Sequence, residues 1–213
     1  MPTLPALNDG LELRDLACVR GRRSLFRGLN AMLAPGQLLR VSGANGAGKT
    51  SLLRMLCGLL APAQGQVLWQ GQDVQRSREA FHQQLIYLGH AAALKDDLTP
   101  LENLHVATRL GGTAPDDAAA RQALAGAGLG GREHVPSRNL SQGQRRRAAL
   151  ARLPLGQALL WVLDEPFNAL DTAATAWLLG LIEAHLRRGG LVVLTSHQPV
   201  GLSDSVAQVS LAL

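Results

Sequence analysis

Apolar and polar positions change rhythm along the chain, and each change predicts a different kind of element. Near the start, Leu11-Glu12-Leu13-Arg14-Asp15-Leu16 alternates apolar and polar residues, the pattern of a strand with one face covered. Two more strands are predicted at Gln37-Leu38-Leu39-Arg40-Val41, after the turn pair Pro35-Gly36, and at Gln66-Val67-Leu68-Trp69-Gln70-Gly71. Between them, residues 49–60 carry apolar positions at helical spacing. The middle, from about residue 91 to 153, reads mostly as helix, at Pro100–Leu110, 116–127 and 142–153. The last third returns to strands, now without alternation. Leu159-Leu160-Trp161-Val162-Leu163 and Leu191-Val192-Val193-Leu194-Thr195 are continuous apolar runs, as suits parallel strands covered on both faces. A helical stretch, 172–188, separates them. Together these elements predict an α/β fold with a parallel sheet core, an antiparallel strand layer at the front and a helical insertion.

Composition sharpens this picture only in part. With 213 residues, 46% hydrophobic and 17% charged, the chain has enough apolar material for one packed domain, which excludes global disorder. Its longest apolar runs are strand-length, far below the ~20 residues a membrane-spanning helix needs. The start, Met1-Pro2-Thr3-Leu4-Pro5, lacks the basic region and apolar core of a signal peptide, so a cytoplasmic location is expected. Cys18 and Cys57 fit no metal spacing, and Cys57 lies in an apolar helical pattern that suits a buried, reduced thiol. A net charge of +5 and a pI near 10.2 are compatible with nucleic acid or an anionic membrane surface and decide neither. Nearly all that charge is arginine. Lys49 and Lys95 are the only lysines, so Lys49 stands out by where it sits.

That place is Gly43-Ala44-Asn45-Gly46-Ala47-Gly48-Lys49-Thr50, followed by Ser51, which matches G-x-x-x-x-G-K-[ST] between a predicted strand and a predicted helix. Glycines let backbone N–H groups close around phosphates, and the helix start adds its own donors. Lys49 is then placed for the β- and γ-phosphates and the Thr50 hydroxyl for Mg²⁺. A second pattern is the apolar strand that ends in Asp164-Glu165. It sets two carboxylates at the carboxyl edge of a sheet, where Asp164 suits Mg²⁺ through a water and Glu165 suits an attacking water. Alone, it equally fits a solvated acidic turn. A third is Leu140-Ser141-Gln142-Gly143-Gln144 before an arginine- and alanine-rich helix. Ser141 is a good N-cap, and the helix start is either a second anion site or an ordinary capped end.

These stretches, with Ala169-Leu170-Asp171 and Thr195-Ser196-His197, occur in the order and approximate spacing of the ABC-transporter ATPases, a family the chain resembles over nearly its whole length. The resemblance implies a P-loop NTPase of ABC type: a RecA-like mixed or parallel sheet core with an antiparallel β layer over 1–90 and 154–213, and a helical subdomain over 91–153. It implies ATP and Mg²⁺ as cofactors and Glu165 as the catalytic carboxylate, with His197 contacting the γ-phosphate. It also implies a head-to-tail dimer, in which Ser141, Gln142, Gly143, Gln144 and Asp171 of one copy complete the ATP site of the other. Two positions depart from the family pattern. The segment Val19-Arg20-Gly21-Arg22 has no aromatic to stack on adenine, and His90 stands where the family has a glutamine.

A narrower resemblance rests on Trp69-Gln70-Gly71-Gln72, Leu88-Gly89-His90, the stretch from Leu98 to His105, and His197-Gln198-Pro199. These strings are similar to the ATP-binding subunits of the haem-export, cytochrome c maturation system. They imply a peripheral protein on the cytoplasmic face of the inner membrane, partnered by membrane subunits of the B, C and D types. There, ATP hydrolysis serves release of a haem-loaded chaperone. An ABC importer or exporter for another substrate, and a soluble ABC ATPase acting on nucleic acid or ribosomes, are the alternatives. No nucleic-acid partner is expected: the soluble class needs a long coiled coil or two cassettes. Arg145, Arg146 and Arg147 are read as a charged surface near the nucleotide or a solvated face. The three tryptophans are read as core or subdomain contacts, and His82, His90 and His105 as no haem site.

Overall fold

The computed structural model describes residues 10–203 and 206–213. The leader reading at Met1 to Pro5 lies outside them. Strand β1 (Leu11–Arg20) turns back into β2 (Arg23–Leu33), and β3 (Leu38–Ser42) runs through the glycine loop into helix α1 (Lys49–Leu56). Then follow β4 (Gln64–Trp69), β5 (Gln72–Asp73), α2 (Arg78–Gln83) and β6 (Leu85–Leu88). Helices α3 (Pro100–Leu110), α4 (Asp117–Gly126) and α5 (Gln142–Leu150) fill the middle. Strand β7 (Leu160–Leu163), α6 (Thr172–Arg187), β8 (Leu191–Thr195) and β9 (Gln208–Ala212) complete the chain. An antiparallel sheet has the order β2-β1-β4-β5, and a parallel sheet the order β6-β7-β8-β3-β9. The expected α/β architecture, with its antiparallel layer and helical insertion, is therefore what the chain adopts.

The unalternating strands have a direct physical cause. Leu160 and Val162 of β7, and Leu191 and Val193 of β8, pack into the core shared with β1, β4 and α1. Trp161, Leu163, Val192 and Leu194 face the opposite way, into a core closed by α6 and the end of α5. Successive side chains on a strand point to opposite faces, so two covered faces demand an apolar residue at every position. Each fully buried leucine here is worth about 2–5 kcal/mol against alanine. A third core, built on Leu101, Leu104, Ala120, Leu124, Leu129 and Ala148, holds α3, α4 and α5 together. Thr99 and Glu102 cap α3 reciprocally, and Pro100 fits its first turn. Asn103 stitches the preceding loop onto that helix. Its amide donates to the carbonyls of Lys95, Leu98 and Thr99, and its oxygen accepts from Lys95 N–H at 2.8 Å.

The structure corrects several boundaries. Helix α1 stops at Leu56 rather than residue 60, because Gly58 (φ 67°) takes the left-handed turn that returns N–H groups to the carbonyls of Met55 and Arg54. Helix α5 stops at Leu150 rather than 153, ahead of Pro154. Strands β2, β5, β6 and β9 and helix α2 were not read from the sequence, although Leu85-Ile86-Tyr87-Leu88 of β6 is a continuous apolar run. Strand β2 is mostly exposed and lacks the alternation of a covered face, whereas β9, at the sheet edge, does alternate, with Val209 and Leu211 against the core, but only over five residues. Both cysteines are free and buried as expected, and burial pushes the Cys57 thiol far above its ordinary range. Among the described residues, no helix is long and apolar enough to cross a membrane.

Candidate active site

Strands β7, β8 and β3 are neighbours, so the segments leaving their carboxyl ends meet. The glycine loop leaves β3, the two acids leave β7, and His197 follows β8. In the loop, Ala44, Asn45 and Gly46 are exposed, whereas Lys49 is buried with its ammonium donating to the carbonyls of Gly43 (2.8 Å) and Ala44 (3.1 Å). Helix α1 starts at Gly48 in a left-handed conformation (φ 112°), with no side-chain cap and no acidic residue in its first turn. Its leading N–H groups thus lack the competing carboxylate or hydroxyl that ordinarily satisfies them. That is the electrostatic condition for holding an anion. Leu25 and Phe26 of β2 press on this turn, since a Cβ at Gly48 would lie 3.2 Å from each. An aromatic therefore reaches the loop, although from Phe26 rather than from Val19-Arg20-Gly21-Arg22, which forms the hairpin end.

A chain of hydrogen bonds links the loop to the acids. The Thr50 hydroxyl donates to Asp164 Oδ2 at 2.9 Å, and the Thr195 hydroxyl donates to Asp164 Oδ1 at 2.8 Å. Thr195 Oγ1 also accepts from Glu165 N–H at 2.7 Å. Asp164 is buried, and Glu165 adopts a left-handed backbone (φ 48°) that turns its carboxylate out of the strand line. One Glu165 oxygen accepts from the Asn168 amide. The other lies 3.2 Å from His197 Nε2, on a histidine that is half exposed. A cavity of about 300 Å³ opens between Glu165, Asn168, Ser196 and His197. The sequence had grouped Glu165 with His197, and the fold brings them into contact. Asn168 and the bridging role of Thr195 were not read from the sequence. The one available signal was a lone hydroxyl closing an otherwise apolar strand.

The signature-like stretch lies elsewhere in the chain's own site. Ser141 caps α5, accepting from Gln144 N–H (3.3 Å), while Gln144 Oε1 accepts from Ser141 N–H (2.9 Å). Gly143 is pressed against Ala169, and a Cβ there would meet the Ala169 carbonyl at 2.5 Å. Among the described residues, the side-chain hydrogen bonds of Ser141 and Gln144 join the two to each other at the helix start, away from the glycine loop. Asp171 caps α6 through Ala174 N–H (2.8 Å), and Arg147 lies 4.0 Å from its carboxylate. His90, Gln142, Arg146 and Glu165 line a second cavity of about 330 Å³, so His90 and Glu165 border one space.

The arginine run is not a solvated face, because each of its side chains bonds to groups of its own chain. Arg145 bonds the Ser137 carbonyl and Asp96, and Arg147 the carbonyls of Ala127 and Gly128. Arg146 is buried, donating to the carbonyls of Gly89 (2.7 Å) and Asp164 (2.6 Å). Burial lowers its pKa, and the charges of Asp164 and Glu165 oppose that shift. Hydropathy could not reveal this, because a guanidinium bonded to backbone carbonyls looks the same in sequence as one in water. The histidines of the middle region are apart in their contacts: His82 bonds the Cys57 carbonyl, and His105 lies 2.9 Å from Asp117. Among the described residues, no three His, Cys, Asp or Glu side chains converge as a metal cluster.

Residues 26–168 match the family model described as ABC transporter. The chain belongs to the ABC transporter family. This ABC protein is 48% identical over 208 residues to the cytochrome c biogenesis ATP-binding export protein CcmA of Nitrosospira multiformis, across 98% of both chains. Its fold is similar to that of an ABC transporter ATP-binding protein from Pyrococcus furiosus, with TM-score 0.82 and 24% identity over 95% of this chain and 98% of that one. The ATP-binding cassette MJ0796, solved as a dimer in a post-hydrolysis state with ADP and Pi, has TM-score 0.77 at 21% identity over 88% of each chain. In the ABC protein, the glycine loop, the acid pair and His197 follow the carboxyl ends of β3, β7 and β8.

Proposed function

We propose that the chain is the ATP-hydrolysing subunit of a membrane-attached ABC complex that serves haem handling in c-type cytochrome biogenesis. The observation that carries ATP hydrolysis is the Glu165 carboxylate, held between Asn168 and His197 and tied through Thr195 to the Asp164–Thr50 pair. The cytochrome c reading is supported by the name and near-full-length identity of the relative from Nitrosospira multiformis.

ATP phosphates bind the N–H groups of residues 43–51, and Lys49 turns its ammonium from loop carbonyls to the β- and γ-oxygens. An all-oxygen set of one hydroxyl and one carboxylate fits a hard cation, so Thr50 and Asp164 would hold Mg²⁺, which would supply charge neutralisation at the phosphate oxygens. Glu165 orients and polarises the attacking water, and His197 holds the γ-phosphate side. Ser141, Gln142, Gly143, Gln144 and Asp171 complete the ATP site of a second copy. One feature supports that arrangement: the MJ0796 cassette was solved as a dimer. Closure of the dimer reaches membrane subunits of the B, C and D types through the loop at 90–98, which joins a core over 1–90 and 154–213 to a helical subdomain over 91–153. The protein sits peripherally on the cytoplasmic face of the inner membrane.

Co-purification from membranes tests this reading together with Glu165→Gln. Cytochrome c maturation membrane proteins are expected with the wild type, and the variant is expected to bind ATP while losing turnover by about 10²-fold or more. Membrane partners of another transport system would reassign the substrate. Full turnover in Glu165→Gln would remove the carboxylate's role.

A further inference from the structure

We infer that Thr195 is the positioning residue that locks both acids of the site to the strand carrying His197. The inference rests on the roles proposed above for Asp164 and Glu165. Thr195 ends β8 and is completely buried. Its hydroxyl owns one proton, and its surroundings fix where that proton goes. The Asp164 carboxylate, 2.8 Å away, only accepts, and the Glu165 backbone N–H, 2.7 Å away, only donates. The proton therefore points to Asp164, and a lone pair takes the Glu165 N–H. With Thr50 on the other oxygen of Asp164, both carboxylate oxygens have fixed donors.

Three consequences follow for the reacting groups. The orientation of Asp164 is set by hydroxyls from α1 and β8, which come from opposite ends of the sequence. The Glu165 backbone is held in the left-handed region, which a residue with a Cβ adopts only under restraint. The Thr195 bond supplies one restraint, and the Asn168 N–H on the Glu165 carbonyl (3.2 Å) supplies another. His197, two residues beyond Thr195, meets the Glu165 carboxylate at 3.2 Å. The end of β8 thus grips the acid turn at three points: the Asp164 side chain, the Glu165 backbone and the Glu165 carboxylate.

The test uses the assembled complex from membranes, with ATPase rates and ATP affinity measured for Thr195→Val, Thr195→Ser and Glu165→Gln. Valine keeps the volume and deletes the hydroxyl, while serine keeps the hydroxyl and deletes a methyl. Misplaced reacting groups lower the chemical step, so Thr195→Val is expected to lose about 10- to 100-fold in kcat with KM changed less than about twofold. Thr195→Ser is expected to recover to within about threefold of wild type. If valine does not assemble, Thr195→Ala is judged by the same criteria. The inference is overturned if the hydroxyl-free variant keeps kcat within about twofold of wild type, if serine is as slow as valine, or if KM rises as far as kcat falls. Glu165→Gln separates the two levels of argument. An inactive Glu165→Gln beside a fully active Thr195→Val sinks only this inference, whereas an active Glu165→Gln sinks the underlying assignment.

Discussion

The two edges of the parallel sheet each hold a histidine, and the pair behaves oppositely. At the carboxyl edge, His197 is half exposed and lies 3.2 Å from the Glu165 carboxylate, at the end of a hydrogen-bonded chain that begins at Thr50. At the amino edge, His185 of α6 is buried, stacked on Trp161 with centroids 3.8 Å apart and planes 7° apart. Its Nε2 lies 3.1 Å from the carbonyl of Leu159, just before β7. Gly190, just before β8, leaves room for the ring, since a Cβ there would lie 2.2 Å from Nε2. Burial, ahead of the other influences, lowers the His185 pKa to about 4. One edge keeps a polar residue wet and aimed at an acid, while the other dries it and uses it as packing. The same residue type serves chemistry or stability according to what the strand ends bring near it.

Substitution at each histidine is the sharpest way to break that contrast. His197→Ala is expected to cost turnover on the order of 10²- to 10³-fold. Its unfolding free energy should stay within about 0.5 kcal/mol of wild type, because the ring is half exposed. Steady-state ATPase rates and denaturant melts on one preparation check both halves. A loss of stability matching the loss of rate would make His197 structural. His185→Ala reverses the pattern. Removing the stacked ring should destabilise the fold by about 2–3 kcal/mol, with kcat of the folded fraction nearly unchanged.

The smallest effect is a pH dependence. His185 binds a proton less well folded than unfolded, so the unfolded chain gains protons first as pH falls. Stability is therefore complete above the unfolded value of 6.5 and is lost between 6.5 and about 4. Between pH 7 and 5 the loss is on the order of 1–2 kcal/mol, read from urea melts at each pH. His185→Phe keeps an aromatic ring on Trp161 without a titrating nitrogen and should flatten that part of the profile. An unchanged slope would move the acid sensitivity to other groups.

The carboxyl edge was the more legible of the two, for a specific reason. Phosphate binding needs glycines, a lysine and a hydroxyl at consecutive positions of one turn, so the residues from Gly43 to Thr50 declare themselves locally. Asp164 and Glu165 are legible because they end a run of buried apolar residues. Helix α3 was legible to both ends because Thr99, Pro100 and Glu102 write its start. By contrast, Arg146 was read as a surface charge, and its burial depends on carbonyls of Gly89 and Asp164, well over a dozen residues away in either direction. Strand β9 has half its positions exposed, and its place beside β3 is decided by pairing with a strand some 170 residues earlier. His185 gave no signal, since stacking on Trp161 and the glycine beneath it are both tertiary.

By itself, the sequence determined the residue types the chemistry needs and the strand or helix that carries each, because those depend on neighbours one to four positions away. The tertiary structure alone decided the order β7-β8-β3, which brings Thr50, Asp164, Glu165, Thr195 and His197 to one edge. It also decided which polar groups are dried and which stay in water. Strand order and burial are set by non-local packing, where two covered sheet faces leave only strand ends for polar side chains. No local pattern in the sequence encodes which ends will meet.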